Sequence, residues 1–522
     1  MGYIREVVAA VDDLNDGETR QVSVGETDVL LARIGGEFYA TGAFCSHYGA
    51  PLADGVLEEE TGCIVCPWHH AVFDVTSGEH LEPPGRDDLW QFDAIVDGDD
   101  VIVEVPEDAD GTRLPALCTQ TDADQRSFVI VGAGAAGSMA AETLRRHGFE
   151  GKITMVTADH DAPYDRPNLS KAFLSGEAAP DWLPLRDESF YDDHAINVVT
   201  GRTATRIDQQ QHRLHLDGGD HLTYDKLLIA SGATPYTLDV PGAAPDGVHL
   251  LRSRSDAEAI LEELDAAPRV VVIGSSFIGM EVAAALRSRD LQVTVASMDE
   301  VPFEGAFGRR VGETFLKLHQ SNGVAFELGQ GVKRVEGSER VEKVVLTDGA
   351  ELPADLAVVG IGVHPATDFA ASLQLADDGT IAVDQYMKAT DNIFAAGDIV
   401  RFPEPRTLQR VRIEHWRLAN QHGQIAARNM LGHDVPYREV PFFWTRQFGQ
   451  TFKYVGHAPQ WEDIIIHGDL DANDYVAFYV DNQDVLAAAG TRGGDLTYLH
   501  ALMRHDEMPT ADDLVGGFEF PG

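Results

Sequence analysis

The sequence predicts a multidomain chain: an N-terminal all-β domain, two α/β nucleotide-binding domains and a C-terminal α+β domain. Three observations predict it. A length of 522 residues exceeds what one hydrophobic core serves. The hydrophobic pattern changes twice, to alternating strands and helices from Ser127 and to strands with a short closing helix after Val440. In the middle region, two strands each run into a glycine-bearing turn and then a helix.

The first domain, residues 1–106, reads as short strands at 29–34, 37–39, 63–66, 71–74 and 101–105, parted by Gly35-Gly36, Thr76-Ser77-Gly78 and Asp97-Gly98-Asp99. It carries Cys45-Ser46-His47 and Cys66-Pro67-Trp68-His69, so each loop supplies one thiolate and one imidazole. A zinc finger groups its ligands differently, as C-x₂₋₄-C followed by H-x₃₋₅-H. Mixed loops suit a 2Fe–2S cluster in which Cys45 and Cys66 hold one iron and His47 and His69 the other. Neutral imidazoles in place of two thiolates make such a cluster easier to reduce than a four-Cys one. Residues 107–126 lack periodicity and contain Asp108, Asp110, Gly111, Pro115 and Asp122, the composition of a polar linker.

The strand at 128–131 enters Gly132-Ala133-Gly134-Ala135-Ala136-Gly137, with a helix expected over 138–147. Glycines there permit a tight turn and bring a pyrophosphate to the free N–H groups of the helix start. Asp159, beyond the strand at 153–156, is a candidate for ribose hydroxyls; Thr157 or a backbone group is the alternative. The second start is Gly274-Ser275-Ser276-Phe277-Ile278-Gly279, with a helix expected over 280–289 and Ser276 at the middle glycine position. Its next strand, 292–296, ends at Ser297, where an NAD site usually carries an acid. No arginine stands close by for a 2′-phosphate, since Arg309 and Arg310 lie further on, so the choice leans to NADH with NADPH open. Two sites in one chain indicate one held flavin and one exchanging nicotinamide. Gly397-Asp398, ending a strand, suits a flavin ribityl hydroxyl, and Ser231-Gly232-Ala233-Thr234-Pro235 is a turn that crosses between the two domains. The expected boundaries are 127–245 and 368–435 for the FAD domain, 246–367 for the NAD(P)H domain and 436–522 for the C-terminal domain.

Charge narrows the partners. The net charge of −45 comes from 85 acidic against 40 basic residues, of which only eight are lysine. Acids alternate with well-patterned apolar segments, so the chain folds. A lysine-poor acidic surface matches a salt-loving organism, where carboxylates hold water and salt screens their repulsion; an acidic face for a basic partner is the alternative. Nucleic acid is disfavoured for want of phosphate-neutralising charge. No secretory signal and no apolar run of the ~18 residues a membrane span needs are visible, so the expected location is cytoplasmic.

These residues carry a resemblance. Pro163-Tyr164-Asp165-Arg166-Pro167-Asn168-Leu169-Ser170-Lys171, the two glycine turns and Gly397-Asp398 resemble the ferredoxin-reductase flavoproteins of oxygenase systems, which bind FAD, take hydride from NADH and pass single electrons to iron–sulfur proteins. The chain is closer still to apoptosis-inducing-factor-like proteins with an N-terminal Rieske domain, through the Cys/His loops, Val359-Gly360-Ile361-Gly362 and Val440-Pro441-Phe442-Phe443-Trp444 in the same order. The resemblance implies Arg166 and Lys171 near the flavin, Lys171 stabilising charge on the reduced ring, Trp416 and Trp444 flanking the isoalloxazine, and Glu281 near the nicotinamide. No Cys-x-x-Cys stands in the flavin region, against dithiol reduction. Respiratory Rieske proteins add a disulfide-forming cysteine to each loop; here those places hold Ala50 and Trp68, which implies a potential toward the lower end of the roughly −150 to +300 mV Rieske range. Cys63 reads as a buried strand thiol, Cys118 as an inert linker thiol, and His70 as pointing away from its ligand neighbour in an extended segment.

The expected function is an NAD(P)H-dependent FAD reductase feeding its own Rieske cluster and then an unidentified redox protein or small-molecule acceptor. The linker would set the effective concentration of the cluster at the flavin. Rivals are a ferredoxin reductase serving an oxygenase, an NADH oxidase and a redox-responsive binding protein; a homodimer is compatible with each.

Overall fold

The computed structural model describes residues 2–187, 189–242 and 246–520. Its N-terminal unit is all β. Tyr3–Ala10, Thr19–Val24, Thr27–Ile34, Glu37–Gly42, Gln91–Asp97 and Asp100–Pro106 form one six-stranded antiparallel sheet. A smaller four-stranded sheet, Val56–Glu58, Cys63–Val65, Val72–Asp74 and His80–Glu82, stands beside it. The two ligand loops flank that smaller sheet, and Leu30, Leu52, Ile64 and Phe73 fill the core beneath them. Cys63 is a buried strand residue, as the sequence indicates. Strands such as Tyr3–Ala10 and Thr19–Val24 alternate too weakly, with exposed Glu and Arg on their outer positions, to be legible from pattern alone.

Two parallel sheets follow. The first has the order Ile196–Val199, Lys152–Val156, Ser127–Val131, Lys226–Ile229, Ile393–Ala395. Its last strand arrives from beyond the second sheet, so this domain is assembled from two separated segments. The second sheet is Val248–Leu250, Leu356–Val359, Arg269–Ile273, Gln292–Ser297, Ala325–Leu328. Their apolar strands are buried on both faces, as parallel strands covered by helices must be. Ala233–Pro235 pairs antiparallel with Val363–Pro365, and this ribbon is the crossing between the two domains. The expected boundary at 245/246 touches residues 243–245, which lie outside the described residues.

The C-terminal domain is a five-stranded antiparallel sheet, Phe442–Gln447, Gln450–Gly456, Asp484–Gly490, Asp474–Asp481, Asp463–Asp469, backed by the helices Gly493–Arg504 and Ala511–Gly516. Its first hairpin pairs Trp444 opposite Lys453, which puts both side chains on one face of the sheet.

Candidate functional site

Both glycine turns open helices earlier than the pattern indicates, at Ala135–Arg146 and Phe277–Arg287. Gly134 and Ser276 immediately precede them, with φ of −75° and −94°. Backbone of negative φ admits any side chain, which is why serine can replace the middle glycine of the second turn. Gly132 and Gly274, at φ +102° and +110°, cannot be replaced so: a Cβ there would also strike the carbonyls of Ala230 and Gly360. Gly137 and Gly279 lie away from the cleft and pack each helix onto its own turn.

The two turns share one cleft with a cavity volume of about 340 Å³. Gly132, Gly134 and Thr157 line it from the first domain, and Gly274's neighbour Ser276 from the second. Arg166, Lys171 and Glu281 line it as well, together with Gly397, Asp398, Trp416 and Trp444. Nothing stands within 4 Å of a Cβ built on Gly134, so the helix start opens onto free space of the kind an anionic pyrophosphate fills. Asp398 is held by Arg252, whose Nη2 lies 3.2 Å from its Oδ2. Asp159 is absent from the cleft wall: its carboxylate accepts from the Tyr164 hydroxyl at 2.6 Å and faces Arg166 at 3.8 Å. Thr157, the alternative candidate, takes the lining position. Beyond Ser297, Asp299 brings a carboxylate to 3.3 Å from Ser275 Oγ of the second turn. It is an acid two residues later than the strand end at which the sequence pattern seeks it.

Glu281 is 3% exposed, which excludes a solvated helix carboxylate. It accepts from Lys171 Nζ at 2.8 Å and Ser170 Oγ at 2.5 Å on one oxygen, and from Thr445 Oγ1 at 2.7 Å on the other. A buried carboxylate this fully bonded is rigid, and it holds the Lys171 ammonium at the cleft wall.

The Cys/His loops meet in two pairs. The Cys45 and Cys66 thiols, both buried, contact each other. His47 Nδ1 and His69 Nδ1 lie 3.0 Å apart. Backbone N–H groups of His47 and Tyr48 point at Cys45, and those of Trp68 and His69 at Cys66. Burial pushes His47 down to about 3 and His69 well below its ordinary value, so both are the neutral, metal-binding form. Among the described residues no three His, Cys, Asp or Glu side chains converge on a single ion. Thiols facing thiols and imidazoles facing imidazoles fit a two-iron, two-sulfide cluster rather than a mononuclear centre.

The cleft and this donor set are neighbours. Trp444 lines the cleft, and its ring lies 4.4 Å from that of His69 and 6.3 Å from that of His47, centroid to centroid. Alternation along the strand turns the next residue, Thr445, the other way, to Glu281. On the loop side, the Tyr48 hydroxyl donates to the Asp165 carboxylate of the segment preceding Lys171, and Asn168 Nδ2 donates to that hydroxyl at 3.2 Å. Trp444 therefore stands between the cleft and the imidazole pair.

Docking is firm, which corrects the expectation that the linker sets the encounter. Arg417, fully buried, donates to Glu82 Oε2 at 2.7 Å, to the His70 carbonyl at 2.9 Å and to the Pro83 carbonyl at 2.8 Å. Arg504 joins Glu58 at 2.8 Å and also reaches Glu82. Arg86 reaches Glu142, Arg186 bridges Glu142 at 2.7 Å and Asp87 at 2.6 Å, and Arg146 meets Asp88 at 2.8 Å. His70 belongs to this interface. Its ring stacks on Phe442, centroids 3.8 Å apart, and its φ of +57° is left-handed, so the turn and not strand alternation aims it. Cys118 Sγ donates to the Phe149 carbonyl at 3.2 Å, far from either loop.

Sequence reasoning missed Arg417, Lys453 and Tyr48. One signal was present: Lys453 is one of eight lysines and stands among apolar strand residues. For Arg417 and Tyr48 no local pattern exists, because their partners are distant in sequence.

Comparison with known proteins agrees with this architecture. Residues 126–423 match the pyridine nucleotide-disulphide oxidoreductase family, residues 5–93 the Rieske [2Fe-2S] domain and residues 442–516 the reductase C-terminal domain. Apoptosis-inducing factor 3 of Homo sapiens is 38% identical over 93% of this chain and 81% of its own length. Rhodocoxin reductase of Rhodococcus erythropolis is 37% identical over 67% of this chain and 83% of its own. The reductase in the crystal structure of the covalent putidaredoxin reductase–putidaredoxin complex superposes with a TM-score of 0.72 at 32% identity, over 75% of this chain and 96% of its own.

Proposed function

Because the chain belongs to the pyridine nucleotide-disulphide oxidoreductase family and carries a Rieske [2Fe-2S] domain ahead of it, we propose that it moves electrons from NADH to the Rieske site of the same polypeptide, and thence to a separate acceptor. The chain is an NAD(P)H-dependent FAD oxidoreductase of the ferredoxin–NAD(+) reductase type. When bound, FAD supplies two-electron hydride acceptance and the 2Fe–2S cluster supplies one-electron transfer.

The chain's own residues divide the work. The helix start at Gly134 and the side chains of Arg166 and Asp398 would hold the flavin, with Ser276 at the nicotinamide turn. Glu281 fixes Lys171, whose ammonium is placed to offset negative charge at the cleft. Cys45, Cys66, His47 and His69 would hold the cluster. The observation that carries the reading is Trp444, in contact with His69 on one side and lining the cleft on the other. It supports transfer within the chain; the rival in which a separate ferredoxin collects electrons at the flavin fits the relatives as well. Asp299 supports NADH over NADPH, because a carboxylate beside the turn repels a 2′-phosphate, and Arg309 is committed to Glu300 and Glu304.

Among the described residues no helix is long and apolar enough to cross a membrane. We read the acid-rich composition as adaptation to a salt-rich cytoplasm.

Stopped-flow mixing with NADH tests the reading. Flavin bleaching should precede cluster reduction, and the rate of the second phase should not change with protein concentration. A cluster that stays oxidised while flavin turns over refutes transfer within the chain.

A further inference from the structure

Lys453 is 3% exposed and sits on the hairpin beside Trp444. Acceptors enclose its ammonium: the Pro67 carbonyl of the second ligand loop, the Gly493 carbonyl at 3.1 Å, Thr497 Oγ1 at 3.3 Å and His70 Nε2 at 3.3 Å. An ammonium only donates, and its three protons are shared among these four groups.

No carboxylate among the described residues lies within ion-pair distance of this ammonium. Arg417 and Arg504, on the same interface, pair with Glu82 and Glu58. A buried charge without a counter-charge is costly, so such groups are paired or lose their charge. Burial pulls Lys453 down to about 8, and the opposing influence is the thiolate of Cys66, the residue before Pro67. The counter-charge this lysine faces is therefore the ligand set itself.

Resting on the reading that Cys45, His47, Cys66 and His69 hold a 2Fe–2S cluster, the consequence follows from charge. With two thiolates and two neutral imidazoles the oxidised cluster is neutral, and one added electron makes it singly negative. We propose that Lys453 is the built-in counter-charge for that electron: a residue of the C-terminal domain that raises the midpoint potential of the N-terminal domain's cluster. Net charge is among the levers that set iron–sulfur potentials, and a buried cation acts on it with little screening by water. The potential is then a property of the docked pair of domains. Lys453 works against the low value implied by Ala50 and Trp68, and makes transfer from the flavin more downhill.

The test is an EPR-monitored redox titration of the full-length holoprotein, with the flavin titrated optically in the same samples. Lys453→Met and Lys453→Gln remove the charge, Gln keeping a hydrogen-bond donor, and Lys453→Arg restores it. Both neutral variants should cut the reduced-to-oxidised cluster ratio at a fixed potential by at least about tenfold, which is about 59 mV for one electron. The Arg variant should recover most of the loss, and the flavin titration should not move. A cluster titrating within about twofold of the parent in a neutral variant overturns the proposal. So does loss of the cluster from all three variants, which would make Lys453 structural. A parent protein without a Rieske EPR signal would instead refute the ligand assignment on which the proposal rests.

Discussion

The indole of Trp444 packs on the imidazole of His69 with ring centroids 4.4 Å apart and planes inclined by 43°. One is a wall of the nucleotide cleft and the other belongs to the second Cys/His loop, so the cleft and the Rieske domain meet ring against ring.

Replacing Trp444 by Leu should therefore slow cluster reduction more than flavin reduction. A loss of at least about tenfold in the ratio of the two rates, some 1.4 kcal/mol on the barrier, is expected. Two-wavelength stopped-flow reads both phases in one trace; equal slowing of the two would assign Trp444 to cofactor binding alone.

Lys171→Met leaves the buried Glu281 carboxylate without its cation. Removing one partner of a fully buried pair costs about 3–5 kcal/mol, and the partial exposure of Lys171 places this pair lower, at roughly 2 kcal/mol. The double variant Lys171→Met/Glu281→Gln should recover most of the thermal stability and none of the hydride-transfer rate. Recovery of both would show that the ammonium serves packing only.

Arg417→Leu strips the Glu82 carboxylate of its most buried partner while Arg504 remains. Hydrogen exchange should rise in residues 79–89 and at the linker, with a stability loss of about 3 kcal/mol. An unchanged exchange pattern would mean that the remaining Arg pairs suffice to seat the domain.

Acid should loosen the flavin domain through His422. Burial pushes this imidazole down to about 3, and its Nδ1 accepts from Gly397 N–H at 3.3 Å, next to Asp398. The unfolded chain binds its proton near pH 6.5, so between about 6.5 and 3 the unfolded state carries more protons than the folded one. Stability from the neutral ring is thus complete above about 6.5 and is lost progressively as pH falls toward 3. Melting temperatures at pH 7.5 and 5.5 should differ less in His422→Phe than in the parent; an equal difference would assign the acid sensitivity to the other buried histidines.

The order of domains, both glycine turns and the two Cys/His loops that the fold brings face to face were legible because each is written in contiguous residues: period, turn chemistry, spacing. Ser276 shows the limit of motif matching, since negative φ, not glycine, is what that position requires. Asp159 shows the limit of spacing, because an adjacent tyrosine and arginine engage the carboxylate that the pattern assigns to ribose. The docked state was invisible. Glu82 and Arg417 are hundreds of positions apart, and nothing local to either says that one exists for the other.

That seat changes the order of the reaction as well as its geometry. Two separate proteins that find each other by opposite charge do so more slowly as salt rises, because screening removes the attraction that steers them. Here the meeting has already happened, behind ion pairs such as Arg417–Glu82 that mobile ions do not reach. Transfer becomes a first-order event whose rate ionic strength leaves alone, and an acid-rich chain gains most from that, since any protein partner must approach it through a field of carboxylates.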